Sequence, residues 1–423
     1  MSCTRRDALS ALIAAPVLAA AARPGRRDAP TILLRSGWQT ENIGDIAHTP
    51  GLIAVLERHW PEAEVILWPS RPLDRGVEPM LRARFPGLRL IREQQVGEPR
   101  DDDPTLDEAI AAADLLLHGS GPSIVGASSI RRWRAATDKP FGLFGVTISV
   151  ISDATREMLS AASFVFTRET RSLALVNEFG IAGPDVRFVP DATFALDLRD
   201  EESANRLMTE HGLLPGRFAC FVPRLRYTPY WEMRPGSVPE ERIAERSAIN
   251  ERFAEEDHAK LRESLIAWVR ETGGKALIVP EMTYQVDILR PLVFDPLPDD
   301  VKAMTVPLDR YWLTDEAASV YRQAAAVVSH ECHSPIIALA GGTPAIYLRQ
   351  PTDTWKGQMY PDLGLGDWMM DVETAAGPEV AARLLAIHTD PDAAEARRSG
   401  AIDQAAERFR WGVSTVRERH TET

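Results

Sequence analysis

Ser329, His330, Glu331, Cys332 and His333 place two imidazoles and a carboxylate within five residues. Imidazole and carboxyl groups are the side chains best suited to trading protons near neutral pH. Acid–base chemistry is therefore the first reading, with His333 and Glu331 as the catalytic candidates and His330 beside them. The flanking sequence gives the knot a place. The apolar run Ala324 to Val328 reads as a buried strand, and Ser334-Pro335 starts a helix with Ser334 as its cap. That helix stops at Gly341-Gly342, and Pro344 to Leu348 reads as the next strand. A polar knot between a parallel strand and its helix lies at the carboxyl end of the sheet, where ligands bind.

Other polar turns also sit at predicted strand ends. Asn42-Ile43-Gly44-Asp45 offers a close backbone approach at Gly44 and a carboxylate, Asp45, to orient a hydroxyl or take its proton; an Asx turn capping the next helix fits equally. His118-Gly119-Ser120-Gly121 reads as an anion cradle or a plain tight turn. Arg168 is either an anion contact or half of an ion pair with Glu169, and Asp191 either faces the cleft or caps Thr193. Arg224 and Arg226 supply two planar forks suited to a doubly ionised ligand. Tyr227, Tyr230 and Trp231 beside them suit a sugar platform or core packing. Lys356 either reaches back over the cleft or lies on the surface. Histidines three apart, His330 and His333, invite a metal reading, but they precede the helix and no second ligand cluster completes a site. No metal and no cofactor are expected.

The elements that must position these groups alternate strand with helix, which argues for an α/β fold with parallel sheets covered on both faces. Strands are expected at 31–34, 65–68, 88–91, 115–117, 140–148, 164–167 and 186–189 in one unit. A second unit carries 218–222, 276–279, 301–306, 324–328 and 344–348. The stretch 224–256 reads as a long functional loop followed by a charged helix. The expected organisation is an export signal at 1–22, an N-terminal domain at 31–200, a C-terminal domain at 213–370 and closing helices at 371–423.

At 423 residues the chain is long enough for two or three substantial cores. Its net charge of -13 argues against nucleic-acid binding, which needs clustered Lys and Arg. The pair Arg5-Arg6 before the uncharged run Ala8 to Ala22 resembles a twin-arginine export signal, and that run is too short for a stable membrane span. Export to the periplasm or cell envelope is the expectation, with a cytoplasmic protein as the alternative. Cys220 and Cys332 are too few for a disulfide scaffold and read as free buried thiols.

Taken in order, Asn42 to Asp45, Gly119 to Gly121, Arg168 to Ser172, Pro190-Asp191, His333, Gly342 to Pro344 and Lys356 resemble the polysaccharide pyruvyl transferase family. The resemblance implies two Rossmann-like domains facing a cleft, as in the two-domain glycosyltransferases. It implies transfer of the enolpyruvyl unit of phosphoenolpyruvate onto two hydroxyls of a carbohydrate acceptor, giving a pyruvate ketal. Arg168, Arg224 and Lys356 would clamp the donor, and His333 and Asp45 would move protons. One residue departs from the pattern. Glu331 stands where the family usually has a donor-binding Arg, and reversing a charge about 4 Å from an anion shifts the interaction by several kcal/mol, at an effective dielectric of about 20. The donor is thus phosphoenolpyruvate or another anion. The alternatives are an exported carbohydrate-active enzyme using Glu331 without phosphoenolpyruvate, and a glycan-binding protein without catalysis.

Overall fold

The computed structural model describes residues 29–92 and 101–421; the expected export signal lies outside them. Seven strands form the first sheet: β1 (Thr31–Ser36), β2 (Glu64–Pro69), β3 (Arg89–Leu90), β4 (Leu115–His118), β5 (Phe141–Val146), β6 (Phe164–Thr167) and β7 (Asp185–Phe188). Six form the second: β8 (Phe218–Val222), β9 (Lys275–Ile278), β10 (Thr305–Pro307), β11 (Ala326–Ser329), β12 (Ala345–Arg349) and β13 (Met369–Asp371). Their orders are β3-β2-β1-β4-β5-β6-β7 and β10-β9-β8-β11-β12-β13, and every pairing is parallel. The protein is an α/β fold of two Rossmann-like lobes.

Continuous apolar strands are what a sheet buried on both faces requires. Ile32 and Leu34 of β1 face one core with Leu117 and Phe144, while Leu33 faces the opposite core with Leu116 and Leu143. In both sheets the chain leaves the central strand and returns on its other side, between β1 and β4 and between β8 and β11. Crevices open at such switch points, outside the carboxyl ends of the strands.

Three local expectations change. The segment after β8 gives up its loop early: a helix runs 33 residues from Glu240 to Thr272, because a charged sequence with good helix formers needs only one apolar stripe to dock. Residues 299–302 form a helical turn in place of the start of a strand; Pro298 leads into Asp299 and Asp300, acids favoured in a first turn. The edge strand β13, three residues long, has too few positions to show a period.

The lobes are tied together by backbone and by the last helix. Ile43 N donates to Glu281 O at 3.0 Å, and Thr283 N donates to Glu41 O at 3.0 Å. The helix Pro391–Thr421 returns to the first lobe, where Phe409 stacks on Phe144 with centroids 6.4 Å apart. Among the described residues no helix is long and apolar enough to cross a membrane. Cys220 and Cys332 are buried and free.

The helix Ile43–His59 lies directly on the turn that follows β7. A Cβ on Gly51 would sit 2.7 Å from the carbonyl carbon of Ala192, and backbone cannot step aside as a side chain can. Gly51→Ala is expected to lower unfolding stability by about 1–3 kcal/mol, read from denaturant midpoints, despite alanine's better helix propensity. An unchanged or higher midpoint contradicts this packing.

Candidate active site

From the first lobe, Asn42 turns the chain out of the loop after β1. Its side-chain oxygen accepts Gly44 N at 2.7 Å and Asp45 N at 3.2 Å, capping the helix Ile43–His59. The cap fixes the first turn, so Asp45 and His48, three apart, lie on one helix face. Gly44 is bare because His333 of the other lobe packs on it; a Cβ would fall 2.8 Å from His333 Nδ1 and closer to its Cβ. Asp45 remains partly exposed and accepts a hydrogen bond from Gln39.

Asp191, fully buried after β7, collects the rest. Its Oδ1 accepts Thr193 N at 3.0 Å and Thr193 Oγ1 at 2.9 Å. Its Oδ2 is 2.9 Å from Arg168 Nη1, 3.2 Å from His48 Nε2 and 3.7 Å from His333 Nε2. His48 Nε2 and His333 Nε2 are themselves 3.2 Å apart. Arg168 Nε donates to Thr147 Oγ1 at 2.7 Å, so the guanidinium is aimed at Asp191 from behind.

In the second lobe His333 opens the helix His333–Gly341. The cap is not Ser334, whose hydroxyl pairs with Tyr321 at 3.1 Å inside the core. Glu281, after β9, does that work: Oε2 accepts Ser334 N at 2.6 Å, and Oε1 lies 3.8 Å from His333 Nδ1. A carboxylate at a helix N-terminus satisfies an orphan amide and meets the positive end of the dipole. Gln285 Oε1 accepts Glu281 N at 2.6 Å, and Gln285 Nε2 donates to Glu331 Oε1 at 2.9 Å. Glu331 Oε1 is 3.4 Å from Arg224 Nε, and Arg224 Nη1 pairs with Asp353. Lys356 Nζ reaches the same Asp353 oxygen at 3.2 Å.

The charges follow from this wiring. Burial works against the His333 cation, but Asp191 and Glu281 outweigh it and push the imidazole up to about 9. Burial raises the Asp191 carboxyl, yet His48, His333 and Arg168 hold it well below the usual range. Glu331 goes the other way: burial, only partly offset by Arg224, lifts it to about 7. Asp353 stays strongly acidic despite burial because Arg224 and Lys356 converge on it. Two cations thus share one committed anion, and the surplus positive charge is what an anionic ligand needs.

The predicted residues separate into two sets. Arg168, Asp191 and His333 meet across the lobes, with Asp45 beside them 4.0 Å from His48 Nδ1, and Glu331, Arg224 and Lys356 form an adjoining group. Asn42 and Gly44 position that set without offering a free group of their own. His118 is spent: Nδ1 donates to Gly119 O at 2.8 Å, Nε2 accepts Gly126 N at 2.9 Å, and burial brings the ring down to about 4. Neither nitrogen is left for a ligand. Arg226 is pinned by Asp257 at 2.8 and 3.0 Å and by Glu373 at 2.9 Å, over the Phe253 ring. His330 is fully buried edge-on to His258, and burial keeps it well below its usual value, unsuited to carrying a proton for Glu331. Tyr230 turns toward the first lobe, accepting from Gln39 Nε2 at 3.3 Å.

Two members of the site went unassigned in the sequence, His48 and Glu281. His48 follows Asp45 by one helical turn, and Pro280-Glu281 follows a buried strand, the same signal that picked out Arg168 and Asp191. His48, Asp191 and His333 also bring three ligand-type atoms within 4.8 Å of one another. Their chemistry suits protons better than a metal: Arg168 already lies on the shared carboxylate oxygen, and an imidazole protonated up to about 9 is no ligand.

Solved structures with the same architecture include a UDP-GlcNAc 2-epimerase from Neisseria meningitidis bound to UDP-GlcNAc, 10% identical over 92% of this chain and 100% of its own, with a TM-score of 0.54. A glycosyltransferase from Rickettsia africae is 9% identical over 93% and 99%, with a TM-score of 0.55. A UDP-N-acetylglucosamine 2-epimerase from Rickettsia bellii is 12% identical over 93% and 98%, with a TM-score of 0.53. At such identities the likeness is one of fold, that of the two-domain glycosyltransferases. No curated protein matches the sequence. The model of the polysaccharide pyruvyl transferase family, in contrast, matches residues 42–350, from the Asn42 cap past His333 to the end of β12. With both the Asp45 helix and the His333 helix inside that match, the chain belongs to the polysaccharide pyruvyl transferase family.

Proposed function

We propose that this transferase moves the pyruvyl unit of phosphoenolpyruvate onto two hydroxyls of a polysaccharide sugar, forming a ketal on a cell-surface glycan. The observation that carries the reading is the imidazole of His333 held between the Asp191 and Glu281 carboxylates, with the partly exposed acid Asp45 reached through His48. Arg224 and Lys356 supply the surplus positive charge for the donor's phosphate and carboxylate. Asp45 takes the proton of the first acceptor hydroxyl, whose oxygen attacks C2 of the donor. His333 gives a proton from Nε2 to the vinyl CH2, which becomes the methyl group. Phosphate then leaves, and the second hydroxyl closes the ketal as His333, now neutral, takes its proton and Asp45 gives the first proton to the departing phosphate. Arg168 serves by fixing Asp191, since it is wholly buried and paired.

A second reading rests on Glu331. A carboxyl at the position usually held by Arg favours a donor with less negative charge than phosphoenolpyruvate, on the same acid–base pair.

Phosphate release from phosphoenolpyruvate, measured over a panel of p-nitrophenyl hexosides with a new methyl signal in proton NMR, tests the first reading. Consumption of the donor with a ketal product is expected. Donor that neither binds by calorimetry nor reacts on any hexoside overturns it. His333→Ala is expected to lower the rate by at least about 10²-fold while circular dichroism stays unchanged; a rate near wild type discards His333 as the acid.

Glu331 gives a pH dependence with a definite sign. Below about 7 its carboxyl is uncharged, and as pH rises through that value it adds a negative charge beside Arg224. Donor affinity is therefore expected to fall above pH 7 in the wild type and to fall less in Glu331→Gln, by calorimetric titration across pH 6 to 8 (about one unit either side). Parallel curves for the two proteins dismiss the effect.

A further inference from the structure

We propose that Gln39 and Arg234 are positioning residues for the base: Arg234, from the second lobe, turns the Gln39 amide so that it pins one oxygen of Asp45 and leaves the other to the acceptor hydroxyl. The inference rests on the reading of Asp45 as the group that takes the acceptor's proton. A carboxylate in the first turn of a helix can rotate about its last bond, and a rotating base meets its proton only part of the time.

The hydrogen bonds around Asp45 fit together in one way. Gln39, buried in the loop after β1, donates from Nε2 to Asp45 Oδ2. The same nitrogen donates to the Tyr230 hydroxyl at 3.3 Å, which uses both of its hydrogens. Gln39 Oε1 accepts Arg234 Nη2 at 2.6 Å, and the second hydrogen of that nitrogen goes to Glu41 Oε2 at 2.8 Å. A guanidinium only donates, so the amide atom against Arg234 is the oxygen. The atom against Asp45 is then the nitrogen, the donor a carboxylate needs. A flipped amide would set oxygen against oxygen at Asp45 and donor against donor at Arg234. Asp45 Oδ1 is left facing His48 Nδ1 at 4.0 Å, too far for a hydrogen bond.

Arg234 follows the short helix Tyr230–Met233, between β8 and the helix Glu240–Thr272, and lies over the Tyr230 ring at 5.2 Å. Burial opposes the Glu41 anion, but Arg234 and the amides of Glu41 and Thr40 outweigh it and lower that carboxyl. Arg234 is thus anchored on an anion of the first lobe while it orients the neighbouring amide. The loop itself is braced from the second lobe: the Tyr311 hydroxyl donates to Thr40 O at 3.3 Å, and Thr283 N donates to Glu41 O at 3.0 Å. Asp45 is therefore aligned only while the second lobe sits on this loop. Arg224 and Lys356, in contrast, are held by Glu331 and Asp353 of their own lobe. Donor binding and base alignment are separable.

Gln39→Glu distinguishes this role from that of a simple tie between the lobes. Its carboxylate still accepts from Arg234 but has no hydrogen for Asp45. With phosphoenolpyruvate and a p-nitrophenyl hexoside, kcat is expected to fall about 10- to 10²-fold, with an unchanged donor Kd by calorimetry. A kcat near wild type, or a loss confined to donor Kd, overturns the proposal. Gln39→Leu and Arg234→Ala are expected to lose similar kcat, and the double variant no more than either, because both act along one path. Additive losses contradict a path through Gln39. A crystal structure of free Arg234→Ala needs no substrate and stands even if pyruvyl transfer fails, in which case the transfer reading alone is lost. The Gln39 amide is expected to have turned away from Asp45; an amide still donating to Asp45 Oδ2 rules out positioning by Arg234.

Discussion

One buried carboxylate, Asp191, holds the site together. An isolated carboxylate taken from water into an interior costs far more than any single contact returns, so it must be surrounded by donors. Thr193 supplies two from its own turn, Arg168 one from just after β6, and the imidazoles His48 and His333 approach from helices of different lobes. The need to satisfy this one anion therefore fixes how the lobes meet. Gly44 and Gly51 are the steric side of the same constraint, since each lets the helix Ile43–His59 approach what Asp191 requires.

A second buried carboxylate does the matching work on the other side. Glu281 caps the His333 helix and faces His333 Nδ1, while its backbone carbonyl receives Ile43 N from the first lobe. His333 is therefore held between two anions, one from each lobe, and this raises its proton affinity in a place where burial alone would lower it. Acid strength here is a property of the assembled interface.

The adjoining cluster shows how one more buried carboxyl is accommodated. Burial raises the Glu331 carboxyl to about 7, and Gln285 and Arg224 occupy its oxygen. Arg224 is shared with Asp353, which Lys356 also neutralises. The surplus charge available to an anion is thus a balance among four side chains, set by their common burial.

The strands, their parallel arrangement and the positions of polar turns at their carboxyl ends were legible in the sequence, because apolar runs and glycine stops are local signals. The stretches 164–167 and 218–222 coincide with β6 and β8 for that reason. Asp45, His333 and Asp191 stood out on the same grounds, and the ordered motifs gave the family. Pairing was not legible. The contact between His48 and His333 joins residues 285 apart in the chain, and nothing local distinguishes His48, which reaches the site, from His118, whose nitrogens are used up by its own turn. Arg224 and Arg226, two residues apart, diverge for the same reason: one meets the carboxylates beside His333, the other the Asp257 helix. Sequence decided which groups stand at the edges of the sheets; only the docking of the lobes, which buries Asp191 and Glu281 and so obliges donors to surround them, decided which of them meet.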